Sequence, residues 1–61
     1  MNMYILNKNN KVVLVGLDEF KFMEDIKTIY IKETNKKPNG DINELSFELI
    51  DYGYNFEIVE K

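Results

Sequence analysis

The chain predicts an α+β fold of order ββααβ, in which a small three-stranded antiparallel sheet packs on two consecutive helices. An N-terminal hairpin and a C-terminal strand supply the sheet. The prediction rests on two short β-type runs around an asparagine-rich turn, on two apolar-periodic stretches each preceded by an aspartate, and on strict alternation after Gly53.

Met3 to Leu6 and Val12 to Val15 flank the polar stretch NKNN, and asparagine tolerates the positive φ that tight hairpin turns need. A two-residue turn at Asn9 and Asn10 would set Leu6 against Val13, Tyr4 against Val15 and Ile5 against Leu14. It would also oppose Lys8 to Lys11, a mildly unfavourable like-charge pair. A four-residue loop from Asn7 to Asn10 is the alternative. Under either register both hairpin faces are apolar. One can be covered by the chain's own helices, and the other needs a partner or stays exposed.

Gly16 ends the second strand and Asp18 caps the next element. Phe22, Met23, Ile26, Ile29 and Tyr30 recur at helical spacing, with Lys21, Glu24, Asp25, Thr28 and Lys32 opposite them. Phe20 and Ile31 widen the apolar arc to about 200°, beyond the roughly 100° that a surface helix requires. The competing reading ends the helix early and makes TIYIKET (28–34) a strand, since it is rich in β-branched residues.

Thr34 to Gly40 is a loop holding the only proline and an Asn-Gly pair. Asp41 with Glu44 three residues later has capping-box spacing. Ile42, Leu45, Leu49 and Tyr52 then share one helical face, with Ile50 at its margin. Asn43, Glu44, Glu48 and Asp51 share the other, and Phe47 falls among those acids. Gly53 stops the helix. Tyr54, Phe56 and Ile58 are expected to face the helices, against Leu45, Leu49, Ile26 and Tyr30.

The 61 residues make one domain (1–61), and a chain of this size buries only roughly 60% of its unfolded surface. With no cysteine and no histidine, neither a disulfide nor a structural zinc site can staple it. Self-association or an unusually good monomeric core would serve instead, and a homodimer through the sheet or the wide helix face is expected. No basic stretch precedes a long apolar run, and the longest apolar run is Val12 to Val15. A soluble, cytoplasmic protein without membrane contact is expected. Arginine, alanine, glutamine and tryptophan are also absent, a bias that suits AT-rich reading frames such as those of low-GC bacteria, their phages or plasmids.

Composition excludes most chemistry. Ser46 is the sole serine and has no histidine or cysteine to work with; a structural place at the seam between the helices explains it. Glu44, Glu48 and Asp51 share a face but sit on a convex helix, where no cleft would flank a glycosidic bond. The stretch NKKPNGDINE misses the frame of a calcium loop, and the scattered glycines make no phosphate loop. No catalytic residue, cofactor or metal is expected, and the protein is read as non-enzymatic.

Charge is uneven. Residues 1–40 carry seven lysines and five acids, a net of +2, while residues 41–61 carry six acids and one lysine, a net of −5. Two apolar hairpin faces, the wide arc of the first helix and Phe47 among acids exceed the needs of a small core, and such surplus marks an interface. The expected function is therefore binding to another protein, as a small adaptor or inhibitor. Its contact residues would be Glu44, Phe47, Glu48, Asp51, Glu57 and Glu60. Such an acidic array could imitate DNA phosphates, as an anti-defence protein of a phage or plasmid would. The alternatives are a structural homo-oligomerisation module and a weak nucleic-acid-binding regulator using Lys32, Lys36 and Lys37. Nucleic acid is the poorer partner, because the acidic total opposes a phosphate backbone and no arginine is present to read guanine.

Overall fold

Asn9 and Asn10 have φ of 50° and 68°, the left-handed pair that a two-residue type I′ turn demands. They join β1 (Asn2–Lys8) to β2 (Lys11–Gly16), so the short turn forms rather than the four-residue loop. The structure is a computed structural model that describes residues 1–60. Lys8 does stand opposite Lys11, but the repulsion is offset from a third direction. Lys8 Nζ lies 3.4 Å from Glu33 Oε2 and 5.0 Å from the centroid of the Tyr54 ring. The hydrogen bond to Glu33 and that carboxylate's charge raise the Lys8 pKa above its ordinary value.

Beyond the Asn7–Val12 pair the ladder slips by one residue. Leu6 pairs with Leu14, Ile5 with Val15 and Tyr4 with Gly16, which corrects the register expected from a regular hairpin. Val13 is the extra residue of a β-bulge. The slip turns Leu14 toward the core and leaves Val12, Val13 and Val15 exposed.

Helix α1 (Glu19–Thr34) starts at Asp18, whose carboxylate accepts the N–H groups of Phe20 and Lys21. It continues through 28–34, so the strand alternative does not form. The threonine hydroxyls in that stretch donate back to the helix, Thr28 to the Glu24 carbonyl at 3.1 Å and Thr34 to the Tyr30 carbonyl at 2.7 Å. Ile26 and Tyr30 meanwhile bury on the core, and such packing outweighs local β preference. Asn35, at φ 58°, closes the helix with its N–H on the Ile31 carbonyl.

Helix α2 (Ile42–Leu49) is capped by Asp41, which accepts the Glu44 N–H at 2.9 Å. It tightens into a 3₁₀ turn, Ile50–Tyr52, and stops at Gly53, φ 89°. A 3₁₀ turn advances about 120° per residue rather than about 100°. Tyr52 is thereby rotated off the core face expected of it and is exposed. Gly53 also fastens the two ends of the fold together, since its carbonyl accepts the Asn9 N–H at 3.0 Å.

Strand β3 (Tyr54–Glu60) pairs antiparallel with β1, giving the sheet order β2-β1-β3 with both helices on one face. The core comprises Tyr4, Leu6, Phe22, Ile26, Tyr30, Leu45, Leu49 and Tyr54. Phe22 links its layers, with ring centroids 5.5 Å from Tyr4 and 5.9 Å from Phe56. Ile58, expected to face the helices, shares the parity of Tyr54 and Phe56 but stays exposed. Only the half of β3 nearest Gly53 reaches the core.

Candidate protein-binding surface

On α2 the helical repeat separates two faces. Leu45, Ser46 and Leu49 are buried, so the residues at about 100° steps between them must point away from the sheet. Glu44, Phe47 and Glu48 fall there, and with Asn43 they line one open depression. Phe47 is 74% exposed. Asp51 continues the row into the 3₁₀ turn. A large apolar ring ringed by carboxylates is costly to leave in water and satisfies nothing inside this fold.

Glu48 is the acid with a fixed orientation. Its Oε2 accepts the Tyr30 hydroxyl at 3.0 Å across the α1–α2 seam. Burial of the phenol, and then the hydrogen bond and charge of Glu48, raise the Tyr30 pKa above its ordinary value. A core tyrosine thus holds one carboxylate of the surface in place. Among the described residues no lysine lies within ion-pairing distance of Glu44, Glu48 or Asp51; the ion pairs are Lys8–Glu33 and Lys27–Glu24.

The other acids of the expected array lie elsewhere. Alternation along β3 puts Glu57, opposite Ile5, on the sheet face away from the helices. Glu60 ends the strand, paired with Asn2. The five carboxylates therefore do not form one face, and Glu44, Glu48 and Asp51 are the group that α2 and its last turn bring together. Lys32, Lys36 and Lys37 are exposed. Lys32 sits in the last turn of α1, where a cation complements the helix dipole. Lys36 and Lys37 follow in the loop, and the Lys36 N–H donates to Thr34 Oγ1. Among the described residues no cluster of three or more acids forms a metal-ligating group, and no helix is long and apolar enough to cross a membrane.

No family model, curated protein or solved structure matches this chain.

Two features stand out beyond the places that sequence reasoning assigned them, Phe20 as part of a wide apolar arc and Ser46 as a structural residue between the helices. One is Phe20, in the first turn of α1, at 86% the most exposed aromatic residue described. Its position two residues before Phe22, off the Phe22–Ile26–Tyr30 stripe, was the available signal. The other is the Ser46 hydroxyl, which is buried and has no hydrogen-bond partner among the described residues.

Proposed function

We propose that this is a non-enzymatic, cytoplasmic protein-binding module whose contact surface is the outer face of α2. The observation that carries the reading is Phe47, exposed at the centre of Glu44, Glu48 and Asp51, with no lysine among the described residues paired to them. An apolar anchor inside a charged rim is the anatomy of a binding hot spot, and the sign of the rim selects a basic partner. An inhibitor of a nucleic-acid-binding protein, such as an anti-defence protein of a phage or plasmid, is the specific form this takes. The helical carboxylates would occupy the partner's phosphate-binding surface and Phe47 would anchor the complex. The test is capture of basic proteins from the source cells at rising salt. Wild type should retain a basic protein at low salt and release it as salt screens the contact. The E44K/E48K/D51K variant should fold and capture nothing; capture that survives this charge reversal sinks the proposal.

A second reading, self-association, is favoured by the bare face of the sheet. Strand alternation places Met3, Ile5, Val12, Val15 and Val59 there, with Glu57 as the one charged side chain among the described strand residues. Three strands about 4.8 Å apart and seven residues at about 3.4 Å make a footprint of roughly 340 Å². That is under half of the roughly 800 Å² per partner in a standard interface. A homodimer through this face alone would be weak, dissociating at micromolar concentration. Sedimentation velocity across a dilution series should show the change, and a concentration-independent monomer would remove this reading.

A further inference from the structure

The starts of the two helices meet in a cleft of about 310 Å³ lined by Glu19, Phe20, Met23, Asp41 and Ile42. Met23 and Ile42 are half-buried and pack against the core, which makes the floor apolar and firmly held. Phe20 forms a wall almost wholly in solvent. Glu19 and Asp41 stand at the rim. Asp41 is rigid there, because one of its oxygens caps α2 through the Glu44 N–H. Among the described residues no lysine lines the cleft, and the next residues along α2, Asn43 and Glu44, already belong to the Phe47 depression.

We infer that this cleft receives one large apolar side chain of a basic polypeptide segment, with lysines or arginines beside that anchor meeting Glu19 and Asp41. The apolar floor supplies burial and the acidic rim supplies the sign, so a phosphate backbone would be repelled where a cationic peptide is attracted. The cleft is at the lower limit of small-molecule pockets and is walled on few sides, which suits a projecting side chain better than an enclosed ligand. The inference extends the proposed function by giving the same basic partner a second contact, so that Phe20 and Phe47 serve as paired anchors on neighbouring helices.

The experiment is a titration of ¹⁵N-labelled full-length protein with a short synthetic amphipathic peptide of lysines and leucines, followed by amide shifts. Shifts should concentrate at Glu19, Phe20, Met23 and Ile42. F20A, which removes an exposed ring and leaves the core intact, should weaken binding about tenfold. The same peptide with glutamates for lysines should not bind. The inference is overturned if the cleft amides do not move, if F20A binds like wild type, or if the glutamate peptide or a DNA duplex moves the same amides. Shifts at Asn43 to Glu48 with a silent cleft would support the α2 surface while refuting this site. Shifts at the cleft that F47A leaves unchanged, with Asn43 to Glu48 silent, would do the reverse.

Discussion

Replacing Ser46 by alanine should stabilise the protein, although the residue lies in the core. Ser46 is 6% exposed, and its Oγ finds no partner among the described residues. A buried hydroxyl that lost its water without gaining a bond costs about 1–3 kcal/mol. Alanine removes that penalty and adds up to about 0.5 kcal/mol of helix propensity. Loss of one oxygen's packing subtracts part of the gain, which leaves an expected increase of about 1–2 kcal/mol. For a domain near this size each kcal/mol moves Tm by about 4–8 °C. S46A should therefore melt about 5–15 °C higher by circular dichroism, with the urea midpoint rising and the m-value unchanged. A Tm lower than wild type would refute the reasoning, because it would mean that the hydroxyl is satisfied and holds its buried site together. The larger S46V should lose stability by overpacking the same site.

Two further perturbations test how the elements are joined. Gly53 adopts φ 89°, and a Cβ built on it would lie 2.8 Å from Asn9 Oδ1. G53A should destabilise by about 2 kcal/mol in urea melts, since the left-handed backbone alone costs roughly 1–2 kcal/mol and the hairpin turn must move. A loss below about 0.5 kcal/mol would contradict the docking of that turn on the helix stop. Tyr30 holds its proton above the ordinary value of 10.0, so its contribution to stability is fully present below pH 10 and falls as pH rises through the folded pKa. Absorbance titration of wild type against Y30F should show the missing phenol ionising above the usual tyrosine range. E48Q should bring that ionisation down by removing the carboxylate's charge, and no change in E48Q would exclude the Tyr30–Glu48 contact.

Most of the fold was legible because the local signals agreed with one another. Asp18 and Asp41 cap where their spacing placed them, Gly53 stops α2, and β3 joins the hairpin in the expected sheet. What local patterns left out was a register shift, a distant partner or a tightened turn. The bulge at Val13 re-phases β2 so that Leu14 meets Leu6, and only the tertiary need for an inward leucine selects it. The Lys8–Lys11 pair looked unfavourable because its partner, Glu33, lies 25 residues from Lys8. Tyr52 left its face when the last helical turn tightened.

The candidate surface was legible only in part. Periodicity alone put Phe47 among the acids of α2. The alternation after Gly53 already set Glu57 on the side of the sheet away from the helices, so grouping it with the α2 acids ran against that pattern. Periodicity could not show that Phe20 would wall a cleft against Ile42, since that depends on where the two helix starts meet.

The most direct test of the proposed binding surface places a photo-crosslinking phenylalanine analogue at position 47 or, separately, at position 32, in the source cells. Crosslinking at 47 to a basic protein, with little at 32 and with loss in the E44K/E48K background, is the predicted result. No adduct at 47, or adducts formed through 32 alone, would contradict the assignment of α2 as the working face.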